Sequence, residues 1–135
     1  QSGIITDRFD WAVKQVATAL NVLWQDEKAH WILSNQHHDI HSEWALTGIQ
    51  QNKLDHIVID RSFIDIQGIR WIIDFKTGTH GGTGIDDFLS QEIQRYRPQL
   101  ERYAQLLQQM ESRPIRLGLY FPVLGKWLEW EFSQR

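Results

Sequence analysis

The sequence predicts an α/β domain with the element order α, antiparallel three-stranded β-meander, α, β, β. Three observations support this prediction. Apolar side chains recur at helical spacing in residues 9–24, and runs rich in Ile and Val follow from residue 40 onward. A polar helical stretch that contains Pro98 then separates those runs from two apolar runs near the end of the chain.

The size and composition of the chain limit its class. With 135 residues it has the size of one ordinary domain, and we expect residues 1–135 to form a single unit. The absence of Cys excludes a disulfide scaffold and thiolate metal sites. The net charge of −3 argues weakly against an isolated nucleic-acid-binding module, so such binding would require locally clustered basic residues. No apolar run approaches the roughly 18 residues that span a bilayer, and no signal-peptide pattern begins the chain. We therefore expect a cytoplasmic protein without membrane contact.

The N-terminal part of the chain is predicted to be helical. Thr6 or Asp7 can cap a helix that ends near Asp26. Its apolar positions are Phe9, Trp11, Val13, Val16, Leu20, Leu23 and Trp24. Residues 28–33 are ambiguous and are compatible with a second short helix, whereas residues 35–39 are typical of a loop.

Three strands are predicted to follow as an antiparallel meander, at residues 40–49, 56–66 and 69–75. The polar residues 50–53 predict the first turn, and Gln67-Gly68 predicts the second.

The rest of the chain is predicted to contain two helices and two strands. Residues 77–84 include four Gly and predict a mobile loop. Asp86 can cap a short helix through residue 94, and Pro98 suits the first turn of a longer helix that runs to about residue 111. Two further strands are predicted at residues 115–121 and 127–132.

The third predicted strand ends with an acid and a base two residues apart. Residues i and i+2 of a strand point to the same face, so Asp74 and Lys76 project together and Phe75 points to the opposite layer. Asp60 interrupts the neighbouring apolar run, and the short turn between the two strands predicts that it lies opposite Asp74 or one step away. Two carboxylates on one face can bind a hard cation such as Mg²⁺. A solvated Asp74–Lys76 pair, with Asp60 capping a turn, is the alternative; the combination of all three residues favours the metal site.

Further candidate residues lie on the neighbouring elements. Glu43 lies on the first strand, where an exposed edge acid is about as good an interpretation as a functional one. Gln99 and Tyr103 are four residues apart and share a helical face. A basic cluster suited to phosphate contact surrounds them, formed by Arg95, Arg97 and Arg102. Taken alone, these arginines are explained more simply as the solvated face of an amphipathic helix.

Three segments of the sequence form a longer pattern. They are Ile59-Asp60-Arg61-Ser62-Phe63, Trp71-Ile72-Ile73-Asp74-Phe75-Lys76-Thr77-Gly78 and Tyr96-Arg97-Pro98-Gln99-Leu100-Glu101-Arg102-Tyr103-Ala104. Together they resemble the RecB-type nuclease domain of the PD-(D/E)xK superfamily, over about residues 43–103 and more loosely over the last two strands. The resemblance implies a restriction-endonuclease-like core with a mixed central sheet flanked by helices. It also implies a position at the C-terminus of a UvrD-like helicase-nuclease such as RecB or AddA.

The resemblance implies a metal site and a catalytic lysine. Asp60 and Asp74 would bind Mg²⁺ or Mn²⁺, with the backbone carbonyl of Phe75 as a further ligand. Lys76 would orient or activate the attacking water and help to stabilise the transition state. Glu43 matches an acid on the preceding strand of AddA-like members.

The helix of the third segment would serve DNA binding. Gln99 and Tyr103 would contact DNA or support the catalytic strand, and Arg97 and Arg102 would contact the DNA backbone. The expected function is metal-dependent DNA hydrolysis, as the exonuclease domain of a helicase-nuclease in break repair and recombination. Its partners would be DNA and a helicase, either in the same chain or as another subunit.

Two features depart from the family pattern. These nucleases usually carry a metal-binding His on an upstream helix, and none of the nearby histidines matches it: His30, His37, His38 and His41. Because the chain begins at Gln1 without an initiator Met, we expect it to be a C-terminal part of a longer protein whose preceding segment carries that His. Ile57 also stands where the family often has Gly.

Two alternatives to an active exonuclease domain remain open. The missing His is compatible with a catalytically incomplete DNA-binding or helicase-partner module of the same fold. A restriction enzyme or resolvase of the same superfamily is the other alternative, and the helix with Gln99 and Tyr103 argues against it.

Overall fold

Five strands form one mixed sheet with helices packed on it. The computed structural model describes residues 10, 12–14, 16–17, 21, 25–78 and 84–133. Its elements are helix α1 (Glu27–Leu33), strands β1 (His38–Gln50), β2 (Lys53–Ile64) and β3 (Arg70–Phe75), helix α2 (Ile85–Gln108), and strands β4 (Ile115–Phe121) and β5 (Lys126–Glu131). The strand order is β1-β2-β3-β4-β5, antiparallel except for the parallel pair β3–β4. The predicted α/β class and the antiparallel three-stranded meander are therefore confirmed.

The two turns of the meander have different physical causes. Gln51 and Asn52 connect β1 to β2 with φ values of 51° and 63°, as a two-residue hairpin turn with positive φ at both positions requires. At the second turn, the Asp65 carboxylate accepts hydrogen bonds from the backbone N–H groups of Gln67 and Ile69. Gly68 supplies the positive φ of 83° that this turn needs. Both turns lie at the predicted positions.

The sheet buries apolar side chains on both faces. Side chains alternate along a strand, and Ile72 belongs to one core cluster while Trp71 and Ile73 belong to the other. The first cluster includes the buried residues of α2, and the second includes the buried residues of α1. The two helices therefore cover opposite faces of the sheet.

Helix α2 is one continuous helix, so the prediction of two helices at residues 86–94 and 98–111 was wrong. Pro98 lies inside the helix, and Gly84 occupies the N-cap position that was predicted for Asp86. An interior Pro removes one backbone hydrogen bond and costs about 3 kcal/mol. The helix continues because its second half buries five side chains against the sheet: Leu100, Tyr103, Ala104, Leu106 and Leu107.

The segment before the sheet also differs in part from the prediction. Residues 28–33 do form a helix, α1, whose N-cap Asp26 accepts a hydrogen bond from the Lys28 N–H. The predicted loop at residues 35–39 is shorter, because β1 already begins at His38. A positive φ of 46° at Asp39 and a register shift between His38 and His41 allow the strand to start there.

The predicted helix from Thr6 or Asp7 to Asp26 lies mostly outside the described residues. Those positions of it that are described, 10, 12–14, 16–17, 21 and 25, are helical. Within the described part of the chain, no helix is both long and apolar enough to cross a membrane.

A buried arginine ties three separate parts of the chain together. Arg70 begins β3 and is 1% exposed. Its guanidinium lies 2.5 Å from Asp39 Oδ2 in β1 and 2.8 Å from Glu111 Oε1 after α2. The hydrogen bond and charge of Arg70 hold the pKa of Asp39 below its ordinary value. A buried charge needs such partners, and this network fixes the start of β3 relative to the start of β1 and to the segment that follows α2.

Gly118 provides a test of the packing of β5 on β4. It lies within β4, and the six-membered ring of Trp127 covers the position that a Cβ would occupy. We predict that Gly118→Ala lowers the free energy of unfolding by about 1–3 kcal/mol, because either Trp127 or the strand must shift. Urea denaturation measures this. Gly84→Ala is the control, since a Cβ there meets no atom within 4 Å, and its effect should stay below about 1 kcal/mol. Equal stability of the Gly118→Ala variant and the original chain would contradict the packing.

Candidate active site where the pairing of β2 with β3 ends

Two carboxylates meet where the pairing of β2 with β3 ends. The last recorded pair is Arg61 with Ile73, and one further step of that register places Asp60 opposite Asp74. Asp60 Oδ2 then accepts a hydrogen bond of 2.9 Å from the Phe75 backbone N–H. The Asp60 side chain of β2 therefore provides the hydrogen-bond acceptor for a backbone N–H group of β3. This arrangement agrees with the predicted position of Asp60 relative to Asp74.

Asp74 is a largely buried carboxylate with a raised pKa. The residue as a whole is 7% exposed, and its side chain is 10% exposed. Burial and the neighbouring Asp60 carboxylate raise the pKa of Asp74 to about 6, and Lys76 opposes this shift. Lys76 Nζ lies 2.5 Å from Asp74 Oδ2. The site thus holds two carboxylates in contact and one ammonium beside them, in a partly dry environment.

Lys76 is held through its backbone and through its ammonium group. Its backbone N–H donates to the Tyr120 carbonyl at 2.8 Å, which extends the pairing of β3 with β4 by one residue. Its ammonium lies 3.5 Å from the centre of the Tyr96 ring on α2. Phe75 packs edge-on against the Tyr120 ring, which belongs to the core cluster on the α1 side of the sheet. Asp74 and Lys76 therefore share the α2 side, as their spacing predicts.

Tyr96 is a site residue that the sequence interpretation did not assign. It lies three residues before Gln99 and seven before Tyr103, so all three occupy one face of α2. That spacing was the available signal. It could have been used only together with the knowledge that this face of the helix points toward the end of β3.

Gln99 and Tyr103 contact each other on the side of α2 that faces the sheet. Gln99 Nε2 donates to the Tyr103 hydroxyl at 2.6 Å. Tyr103 is 7% exposed and packs in the core cluster that contains Ile59 and Ile72. Ile59 precedes Asp60, and Ile72 lies two residues before Asp74. Tyr103 therefore packs against the two strands that carry the aspartates, and the predicted contact of this pair with DNA stays a prediction.

The arginines of α2 do not form a single cluster. Arg97 Nε lies 3.2 Å from Glu101 Oε2, and its guanidinium lies over the ring of Trp130 on β5. Arg102 Nε lies 3.4 Å from Asp55 Oδ2 on β2. Each of these two arginines is therefore beside a carboxylate. Arg95 lies over the Tyr96 ring at 5.2 Å, and so it shares a partner with Lys76.

Glu43 has an unusual backbone but an exposed side chain. It lies in β1 with φ of 49°, between the pairs Ser42–Arg61 and Trp44–Ile59, so that the register places it opposite Asp60. Within the described ranges, no group of three or more His, Cys, Asp or Glu side chains could hold a metal ion. Glu43 therefore does not complete a three-residue ligand set with Asp60 and Asp74.

The donor atoms at the site nevertheless suit a hard cation. Mg²⁺ binds through one or two carboxylates and fills its other positions with water and substrate oxygens. Asp60 and Asp74 supply two carboxylates that repel each other when both are ionised, as the raised pKa of Asp74 indicates. A divalent cation would remove that repulsion. The nearby histidines have other partners: His37 Nε2 lies 2.6 Å from the Trp31 carbonyl oxygen, and His41 Nε2 lies 3.0 Å from Asp39 Oδ1.

The raised pKa of Asp74 predicts a specific pH dependence of stability in the presence of a chelator. Because its pKa is higher in the folded chain than the ordinary value of an Asp carboxyl, its contribution to stability is fully favourable below about pH 4 and is lost as the pH rises through about 6. We predict that Asp74→Asn increases the free energy of unfolding at pH 8 by about 1–3 kcal/mol and has little effect at pH 4. Urea denaturation from pH 4 to 8 measures the difference. A constant difference across this range would contradict the burial and pairing of Asp74.

Comparison of the sequence with known protein families and with functionally characterised proteins finds no match. The geometry of Asp60, Asp74 and Lys76 is therefore the basis on which the function of this chain is inferred.

Proposed function

We propose that the chain is a metal-dependent nuclease domain with a restriction-endonuclease-like core, which hydrolyses phosphodiester bonds in DNA. The observation that carries this proposal is the meeting of two carboxylates and one ammonium at the point where the pairing of β2 with β3 ends. Asp60 and Asp74 are opposite in the extended register, and Lys76 Nζ lies 2.5 Å from Asp74. Desolvated charges of this kind are costly for stability and are typical of functional sites.

Asp60 and Asp74 would hold the metal ion, with the backbone carbonyl of Phe75 as a further ligand. When bound, Mg²⁺ or Mn²⁺ neutralises phosphate charge and lowers the pKa of a coordinated water. The chain contributes rigidity to this site, because Asp60 is oriented by the Phe75 N–H. Asp74 is oriented by its place in β3, which is paired on both sides.

Lys76 would provide the second positive charge at the reacting phosphate. In the hydrolysis, a water oxygen forms a bond to phosphorus while the bond from phosphorus to the leaving sugar oxygen breaks. Negative charge on the phosphoryl oxygens must be stabilised during this step, and a fixed ammonium in a partly dry site does so effectively. Lys76 would also orient the attacking water by hydrogen bonding. Glu43 is the remaining acid of the proposed set, at the rim opposite Asp60.

DNA would reach the site along α2. Arg95 is the arginine that lies beside Tyr96 and therefore nearest in contact to Lys76. Arg97 and Arg102 are also candidates for backbone contact, although each has a carboxylate beside it. Contacts to phosphates carry no base information, so we expect cleavage without strong sequence preference.

Within this function, the three motif segments favour one biological setting. The Asp60, Asp74-x-Lys76 and Gln99-x-x-x-Tyr103 positions resemble the exonuclease domain of RecB- or AddA-like helicase-nucleases. We propose that the chain acts in this way in DNA break repair and recombination in the cytoplasm, together with a helicase domain or subunit.

A second candidate function has one observation in its favour. Among the residues that the structure describes, the two aspartates have no third side-chain ligand. A domain of this fold that binds DNA or a helicase without cutting DNA would need no such ligand. The two candidates differ in whether the carboxylate pair binds a divalent cation.

Removal of the key side chains tests the nuclease proposal. We predict that Asp74→Ala and Lys76→Ala each reduce the hydrolysis of linear DNA in Mg²⁺ at least about 100-fold, since each removes a charge used in the reaction. Release of acid-soluble nucleotides measures the rate. Glu129→Gln, which removes an exposed acid on β5, is the charge-matched control for Asp74→Ala and should retain full activity. If both site variants degrade DNA as fast as the unmodified chain does, the proposal is contradicted.

A further inference from the structure

The Lys76 ammonium lies between a carboxylate and the face of an aromatic ring. The Lys76 ammonium has two partners: the Asp74 carboxylate at 2.5 Å and the face of the Tyr96 ring at 3.5 Å from its centre. The Lys76 side chain is only 18% exposed. Tyr96 is itself half-buried and packs against the core cluster under α2. The ring is therefore held in place independently of the lysine.

The two partners of Lys76 differ in what happens to them during the proposed reaction. A carboxylate that binds a metal ion shares its oxygens with that ion, so the Asp74–Lys76 pair weakens. The face of an aromatic ring attracts an ammonium through its quadrupole and has no affinity for a divalent cation of this kind. A free lysine side chain samples many rotamers, so holding it in one place costs conformational entropy. Without a second partner, Lys76 would lose its fixed position when it is needed.

We propose that Tyr96 is the positioning residue of the site, and that its ring holds the Lys76 ammonium at the reacting phosphate while Asp74 is engaged with the metal. This inference rests on the proposed nuclease function. The ring face is the part of Tyr96 that acts, and its hydroxyl is not required. Phe can therefore replace Tyr96, whereas Leu, of smaller size and without a π-system, cannot.

The first test needs neither metal nor activity. In NMR spectra of the chain with a chelator, the ring current of Tyr96 should move the Lys76 Cε protons upfield from their position in the unfolded chain. We expect this shift to persist in Tyr96→Phe and to disappear in Tyr96→Leu, while the dispersion of the other amide signals shows that both variants are folded. An unchanged Lys76 shift in a folded Tyr96→Leu variant would overturn the proposal.

The second test measures the consequence for the reaction. With Mg²⁺ and linear DNA, Tyr96→Leu should reduce kcat about tenfold, the equivalent of roughly 1.4 kcal/mol and within the range of a desolvated cation–π contact. KM should change less than twofold, and Tyr96→Phe should restore kcat. If the original chain hydrolyses DNA and Tyr96→Leu does so equally fast, this inference fails and the proposed function stands.

The remaining outcomes are equally decisive. If Tyr96→Leu lowers kcat and Tyr96→Phe lowers it equally, the effect belongs to the hydroxyl and the role of the ring is overturned. If the original chain fails to hydrolyse DNA under all divalent-ion conditions, the proposed function fails and the positioning role fails with it.

Discussion

The hydrogen bond from the Phe75 N–H to the Asp60 carboxylate is the contact on which the site depends. Pairing of β2 with β3 stops at Arg61 and Ile73, and this bond of 2.9 Å replaces the next interaction between the strands. A backbone N–H left unpaired in a partly buried place would cost stability. The same bond therefore satisfies the backbone of β3 and fixes the Asp60 side chain at the end of the strand, beside Asp74.

The rest of the fold keeps β3 in the position that this contact requires. β3 is paired on both sides, with β2 and with β4, and both faces are covered by core clusters. Arg70, the first residue of β3, is held by two acids from distant parts of the chain. The last residues of β3 can then carry charges that the protein would otherwise exclude, because the strand around them is rigid.

Local signals in the sequence predicted much of this arrangement. Apolar alternation and turn residues placed the strands, and the i, i+2 spacing put Asp74 and Lys76 on one face. The position of Asp60 followed from the length of the turn between the strands. The break in α2 was predicted wrongly because Pro98 is a strong local signal, and the burial of five side chains after it is a tertiary effect that outweighs it.

Other features could not be predicted because they depend on contacts between distant segments. The partners of Arg70 lie 31 and 41 residues away, and no local pattern pairs them. The contact of Tyr96 with Lys76 requires the orientation of α2 on the sheet. The pairing of Arg102 with Asp55 joins α2 to β2 and also depends on how the helix packs. Each of these features arises from packing, which spacing in the sequence does not encode.

The proposed site requires that the Asp60–Asp74 pair binds a divalent cation, and calorimetric titration with Mn²⁺ measures that binding. We expect Mn²⁺ to bind the unmodified chain, with affinity reduced at least about tenfold by Asp60→Asn, as is typical when a metal site loses a group that holds the ion or orients its ligands. Glu129→Gln, which removes the same charge elsewhere on the sheet, should bind as tightly as the unmodified chain. Absence of binding, or equal affinity of the unmodified chain and the Asp60→Asn variant, would show that the two aspartates do not form a cation site.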